Sequence, residues 1–126
     1  MIDRLIKEYG VGYIKMDYNI EPGIGTDLHA DSAGDGMLSH ERAYLKWLEA
    51  VFKRYPDLVI ENCSSGGLRM DYAMLSRYSI QSTSDQDDYR YYCTIAANSP
   101  SALTPEQSAI WSYPLREGDR EEVVFN

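Results

Sequence analysis

An alternation of short apolar segments with helical patterns is the feature that most constrains how this chain can fold. Residues 11–17, 58–63 and 79–85 each have the length and composition of a β-strand. Residues 40–55 lie between the first two and carry one apolar helical face, which consists of Leu45, Leu48, Phe52 and Tyr55. Strands that alternate with helices pair in parallel through crossover connections, so the sequence predicts an α/β fold.

Helical and loop signals around the predicted strands complete this pattern. Residues 2–9 have apolar side chains at helical spacing, and Gly10 follows where a C-cap glycine would lie. Ser39 is the expected N-cap of the next helix, and residues 19–36, rich in Gly, Asp and Pro, are expected to form a long loop. Two later segments are predicted to be a short helix or turn and a helix, at residues 68–78 and 88–100. The last twenty-odd residues are too mixed for a prediction.

Each predicted strand has a polar and an apolar face, because side chains alternate along a strand. The polar faces consist of Tyr13, Lys15 and Asp17, then Val59, Glu61 and Cys63, and finally Ser79, Gln81, Thr83 and Asp85. Strands of an open, doubly wound sheet tend to be apolar on both faces. A polar face that intensifies toward the C-terminal end of each strand fits better with the interior of a (β/α)8 TIM barrel.

The length of the chain allows only part of such a barrel. A complete barrel needs about 250 residues, whereas this chain has 126 residues. We therefore predict that residues 1–126 are a fragment of a single (β/α)8 catalytic domain, with about three to four βα units and parallel strands. Two open sheet edges would favour self-association, and the fragment alone is expected to have little or no activity.

Two carboxylates are the candidate reactive groups. Asp17 and Asp85 are placed at the C-terminal ends of the first and third predicted strands, which are expected to be next-but-one neighbours. Carboxylates that converge across a barrel mouth suit glycoside hydrolysis, in which one attacks or stabilises the anomeric carbon and the other donates a proton. Taken singly, an aspartate after a strand is more often a turn residue or a helix N-cap than a catalytic group.

Composition argues against several other functions. Twelve basic and twenty acidic residues give a net charge of −8 without a basic stripe, so nucleic acid is not expected as a partner. No apolar stretch approaches the roughly 20 residues that cross a membrane, and localisation stays undetermined, with the cytoplasm as the default. Cys63 and Cys93 lack the spacing of a zinc site, and no cofactor or metal is expected. The acidic turn at Asp85, Asp87 and Asp88 leaves a weak Ca²⁺ site open as an alternative.

Three short segments occur in the order YIKMDYN, ENCSSGGLRMD and STSDQDD. They resemble the segments YIKWDMN, ENCSSGGGRFD and WTSDNTD of glycoside hydrolase family 36, the α-galactosidases or melibiases. The resemblance covers residues 1 to about 115. Met16 stands where the family usually has Trp, and Tyr18 where it often has Met, from which we expect altered packing. Gln86 and Asp87 replace Asn and Thr, which affects the loop that follows Asp85.

This resemblance implies a retaining double displacement on the terminal α-galactosides of oligosaccharides. Asp17 takes the position of the nucleophile and Asp85 that of the acid/base. Lys15 is expected to bind sugar hydroxyls and to favour the ionised form of Asp17. The resemblance also implies further substrate-binding positions, namely Asn19, Asn62, Cys63 and Gly66, and Asn62 is alternatively expected to brace the turn. Because family members often form tetramers, a homo-oligomer is a further expectation for the full-length parent protein.

Other interpretations remain open from the sequence. A related retaining α-glycosidase, such as an α-N-acetylgalactosaminidase, has the same chemistry, and a non-catalytic carbohydrate-binding remnant would share the fold. Lys15 is equally suited to a structural ion pair with Glu61. Trp111 is a candidate for stacking on a sugar ring, although most aromatic residues of such a chain pack in the interior.

Overall fold

The computed structural model describes residues 1–21 and 23–111, together with Glu121. The chain divides into two compact units, one of residues 1–12 and 19–58 and the other of residues 13–18 and those from 59 onward. The helices are α1 (Ile2–Tyr9), α2 (Ala33–Arg54), α3 (Tyr72–Leu75) and α4 (Tyr89–Asn98). The strands are β1 (Tyr13–Asp17), β2 (Val59–Cys63), β3 (Ile80–Ser82) and β4 (Ser108–Ala109). None of the helices in the described part is long and apolar enough to cross a membrane.

The first unit contains the helices α1 and α2. α1 has the predicted bounds, and Gly10 ends it in the left-handed conformation, with φ at 67° and its N–H directed to the Ile6 carbonyl. α2 begins seven residues before the prediction, because Ser32 rather than Ser39 caps it by accepting a hydrogen bond from the Asp35 N–H. The early glycines of α2 suggested a loop. One of them, Gly36, lies so close to the Thr26 carbonyl that a Cβ would overlap it.

The second unit contains a four-stranded parallel sheet in the order β1-β2-β3-β4. This arrangement confirms the predicted α/β class, is consistent with part of a (β/α)8 barrel, and makes β1 and β3 next-but-one neighbours. The strands are shorter than predicted, most of all β3, which covers three residues rather than residues 79–85. β4 has two residues and was not predicted.

The register of the sheet separates its polar side chains onto two faces. Lys15 pairs with Glu61, and Glu61 pairs with Ile80, so Ser82 lies on the face of Glu61. We call this the charged face. Gln81 pairs with Asn62 on the opposite face, which we call the amide face. The prediction that Gln81 shares a polar face with Glu61 is therefore wrong, and the strand alternation that was extended to Asp85 ends with β3 at Ser82.

Candidate active site

A buried carboxylate lies at the centre of the charged face. Glu61 in β2 is 0% exposed. It accepts hydrogen bonds from the Tyr13 hydroxyl in β1 and from the Ser82 hydroxyl in β3. The Lys15 ammonium lies 3.3 Å from Glu61 Oε1. Burying a carboxylate is costly unless it is paired and hydrogen-bonded, and these three donors from two neighbouring strands compensate that cost.

Lys15 connects this buried carboxylate to the end of β1. Its side chain is 40% exposed, and its ammonium lies 4.5 Å from the centre of the Trp111 ring. Burial opposes the positive charge, but the charges of Glu61, Cys63 and Asp17 and the hydrogen bond to Glu61 outweigh it and raise the pKa of Lys15 above its ordinary value. Lys15 therefore stays an ammonium group that interacts with Asp17. Trp111, the candidate sugar platform, contacts this ammonium.

Tyr13, at the start of β1, donates a hydrogen bond to the same carboxylate. Burial, followed by the hydrogen bond to Glu61 and the negative charge of Glu61, raises the pKa of Tyr13 to about 12. The phenol therefore stays protonated across the physiological pH range and remains a hydrogen-bond donor to Glu61. Glu61 consequently has donors on both of its oxygens.

Asp17 ends β1 beside Cys63, its partner in the register, at the ends of two adjacent strands. Asp17 is exposed, whereas the free thiol of Cys63 is 1% exposed. Two hydrogen bonds with residues at the end of β2 and directly after it fix the backbone of Tyr18, which follows Asp17. The Tyr18 N–H donates to the Cys63 carbonyl at 2.9 Å, and the Tyr18 carbonyl accepts from the Ser64 hydroxyl at 2.6 Å. The carbonyl oxygen of Tyr18 also lies 3.4 Å from Nε of Arg69, whose guanidinium stacks 4.0 Å from the centre of the Tyr18 ring.

The glycine turn after β2 contacts the segment that carries Asp85. Gly66 is buried, with φ at 73°. A Cβ added to Gly66 would lie 2.5 Å from Ser84 Cα and 2.6 Å from the backbone nitrogen of Asp85. The absence of a side chain at Gly66 is thus required by the chain itself. Asp85 is exposed beside this contact, so the turn at residues 63–67 contacts the backbone after Asp17 on one side and the backbone of Asp85 on the other.

Two asparagines, Asn62 and Asn19, were also predicted to bind the substrate. Asn62 is 2% exposed on the amide face. Its amide nitrogen donates to the Gln81 side-chain oxygen at 2.7 Å and to the Arg69 carbonyl at 3.0 Å. Asn62 therefore braces the turn, which was the alternative expectation for it. Asn19 is exposed and belongs to the first unit.

In the acidic turn of Asp85, Asp87 and Asp88, the structure shows a structural role for Asp88. Asp88 caps α4 by accepting from the Arg90 N–H, and its carboxylate pairs with the Arg90 guanidinium at 2.6 Å. The hydrogen bond from Arg90 holds the pKa of Asp88 below its usual value, despite the opposing effect of burial. Among residues 1–21 and 23–111, no three His, Cys, Asp or Glu residues are grouped as metal ligands would be.

Sequence reasoning missed two residues that support the backbone beside Asp17, Ser64 and Arg69. A signal for Arg69 was present, because an aromatic residue follows Asp17 at position 18 and a guanidinium stacks favourably on an aromatic ring. No pattern in the sequence indicated Ser64, whose hydroxyl partner is a main-chain carbonyl 46 residues earlier. Glu61 was named only as a structural partner of Lys15, and the structure shows this ion pair.

Parallel βα units with polar and acidic side chains at the carboxyl ends of the strands define a class, the proteins built on part or all of a (β/α)8 barrel. Within this class, the family model described as Melibiase matches residues 1–109. The chain belongs to the melibiase family.

Two curated relatives agree with this assignment. The chain is 30% identical over 102 residues to a protein of Escherichia coli named α-galactosidase, a match that covers 81% of this chain and 14% of the relative. It is 33% identical over 70 residues to α-galactosidase Mel36A of Lactobacillus acidophilus, covering 54% of this chain and 10% of the relative. The chain thus spans less than a fifth of the length of either relative. No solved structure matched the chain.

Proposed function

We propose that this chain carries the nucleophile and the acid/base of a retaining α-galactosidase, as part of one catalytic domain. The observation that carries the proposal is the turn at residues 63–67, which contacts the backbone next to Asp17 through Ser64 and that of Asp85 through Gly66. One turn can therefore help to fix the spacing of the two segments that carry these exposed carboxylates. The names of the two relatives support α-galactosides as the substrate class.

In the proposed reaction, the two aspartates act in sequence on one sugar. Asp17 attacks the anomeric carbon, and the bond to the leaving oxygen breaks as Asp85 protonates that oxygen. Asp85 then removes a proton from water, whose oxygen displaces Asp17 from the sugar and restores both carboxyl groups. Retention of configuration requires the two carboxyl groups to be about 5–5.5 Å apart in the substrate complex.

The remaining predicted residues bind or position the substrate in this proposal. Lys15 donates to sugar hydroxyls as an ammonium group, and Asn19 and Cys63 stay predicted substrate-binding residues. The backbone of Gly66 forms part of the wall beside the sugar as well as the contact with Asp85. Asn62 acts through the turn, because its amide is committed to Gln81 and to the Arg69 carbonyl.

The test is hydrolysis of an aryl α-galactoside by the complete product of the gene that encodes this chain, with Asp17→Ala and Asp85→Ala variants. We expect Asp17→Ala to lose about 10⁴-fold or more in kcat. Azide should restore turnover to this variant and yield the β-galactosyl azide, because azide enters the space of the removed nucleophile. Asp85→Ala with azide should yield the α-galactosyl azide, formed from the glycosyl-enzyme intermediate.

Asp87→Ala is the matched control, because Asp87 is an exposed carboxylate two residues after Asp85. It should keep near-normal activity. Unchanged turnover in Asp17→Ala, or the same azide product from both aspartate variants, would refute the assigned roles. Hydrolysis of an aryl α-N-acetylgalactosaminide in place of the galactoside would establish the related glycosidase. Binding of galactose without turnover of either substrate would establish a carbohydrate-binding protein.

A further inference from the structure

Glu61 is a buried carboxylate that the proposed reaction does not use. Two of its hydrogen bonds come from hydroxyl groups, of Tyr13 and Ser82, which are neutral donors. Within the part of the chain that the structure describes, the cation paired with Glu61 is Lys15, 3.3 Å from Glu61 Oε1. A fully buried carboxylate restrains its ammonium partner strongly, because separating the two would leave a buried charge uncompensated.

The restrained partner lies on the same face as the proposed nucleophile. Lys15 and Asp17 are two residues apart in β1 and therefore point to the same side of the sheet. A lysine side chain is flexible, and fixing it costs conformational entropy. The ion pair with Glu61 and the Trp111 ring, 4.5 Å from the ammonium, restrict the movement of the Lys15 side chain, while 40% of it stays accessible.

We infer that Glu61 is a positioning residue, which holds the Lys15 ammonium in place for the proposed nucleophile Asp17 and the bound sugar. This inference rests on the proposed function. The titratable groups that act on Lys15 are Glu61, Cys63 and Asp17, and their combined charge exceeds the effect of burial, so the pKa of Lys15 is raised. Glu61 acts through Lys15 and touches neither the sugar nor the reacting atoms.

A double-mutant cycle in the complete gene product tests this role, with kcat/KM for an aryl α-galactoside as the readout. Glu61→Gln keeps the shape but removes the negative charge that pairs with Lys15, and it replaces one acceptor oxygen with an NH₂ group that the Lys15 ammonium cannot accept from. We expect kcat/KM to fall about 100-fold, the usual result of misplacing a group by about 1 Å. Lys15→Met should cost at least as much, and Glu61→Gln should cost almost nothing more in the Lys15→Met background.

A purely structural role gives a different result. Glu61→Gln would then lower kcat/KM by the same factor in both backgrounds, which would overturn the inference. Glu8→Gln is the matched control, because it removes a carboxylate from an exposed ion pair with Arg4 in α1, and its activity should be unchanged. Tyr13→Phe covers the case in which Glu61→Gln does not fold. It frees one oxygen of Glu61 and should lower kcat/KM severalfold with Lys15 present, but not in the Lys15→Met background.

A titration of this chain separates the inference from the proposed function. The pKa of the Lys15 amine, followed by NMR of the labelled side chain, should fall in Glu61→Gln and stay unchanged in Glu8→Gln. An unchanged Lys15 pKa in Glu61→Gln would overturn the inference even if the wild-type gene product hydrolyses galactosides. A gene product without any hydrolysis would refute the proposed function instead, and the titration alone would then decide whether Glu61 fixes Lys15.

Discussion

The two faces of the β1–β3 sheet both bury polar side chains but hold them in different ways. On the charged face, Glu61 is compensated by hydroxyl groups and by Lys15, which stays partly exposed. On the amide face, Asn62 and Gln81 bond to each other and to main-chain carbonyls, with no net charge. The neutral amides therefore fix the backbone of the turn, whereas the charged pair holds a cation on the same side of the sheet as Asp17.

The largest loss of stability is expected at Gly66, where the turn at residues 63–67 contacts the backbone of Ser84 and Asp85. Gly66→Ala should lower the free energy of unfolding by about 3 kcal/mol, from the left-handed backbone plus the overlap with Ser84. Gly10→Ala is the control, because Gly10 has nearly the same φ, 67° against 73°, but nothing within 4 Å of the added Cβ. It should cost about 1 kcal/mol. Equal losses in urea denaturation would show that the contact with the Asp85 segment has no energetic weight.

The amide face should make the next largest contribution, and one that does not depend on pH. Asn62→Leu leaves the Arg69 carbonyl and the Gln81 side chain without their partner, so we expect a loss of about 2 to 3 kcal/mol. The loss should be constant between about pH 6 and 9, because no titratable group is removed.

Asn98→Leu provides the comparison for this prediction. Asn98 donates to the Thr94 carbonyl at 2.7 Å, but on the exposed surface of α4, where water replaces a lost partner. Its loss should be about 0.5 kcal/mol or less in the same urea denaturation. If the Asn62 variant is no less stable than the Asn98 variant, the amide face does not brace the turn.

The sequence predicted the order of elements and the strands that end near Asp17 and Cys63, because apolar runs and caps are local signals. It did not predict where α2 begins. Gly34 and Gly36 resemble loop residues locally, and the close approach of Thr26 to Gly36 is a tertiary contact. It also did not predict β4, whose two residues count as a strand only through their pairing with β3.

The geometry of the candidate site was likewise predicted only in part. Lys15 and Asp17 share a face as expected from alternation within β1. The face of Gln81 was wrong because it depends on the register between β2 and β3, which is set by pairing rather than by composition. Gly66 was expected to lack a side chain for the sake of a ligand, but its nearest constraint is the backbone of Ser84, 18 residues later in the sequence, which is a tertiary contact that no local pattern predicts.

The charged face should give a smaller and pH-dependent effect. Tyr13→Phe removes a hydrogen bond to the Glu61 carboxylate and should cost about 1 kcal/mol near neutral pH, since Tyr13 is partly exposed. The folded state raises the pKa of Tyr13 from 10.0 to about 12. This contribution is therefore fully present below pH 10 and is lost as the pH rises toward 12. Urea midpoints should fall over this range in the wild type and less in Tyr13→Phe. Parallel curves would contradict the coupling to Glu61.

The smallest effect on stability is expected at a similar contact whose carboxylate, that of Asp3, is 50% exposed. In the first unit, the Tyr55 hydroxyl donates to Asp3 Oδ1 at 2.7 Å, and this bond, helped by Arg54, lowers the pKa of Asp3 despite the opposing effect of burial. The stabilisation is present above the unfolded pKa of Asp3 and is lost as the pH falls through the lower folded value. Tyr55→Phe should therefore shift the urea midpoint less than Tyr13→Phe, and added salt should weaken the shift further. Each of the two tyrosines donates to a different carboxylate, and the two contacts differ mainly in how exposed that carboxylate is. A shift equal to that of Tyr13→Phe would therefore mean that burial of the carboxylate does not distinguish the charged face.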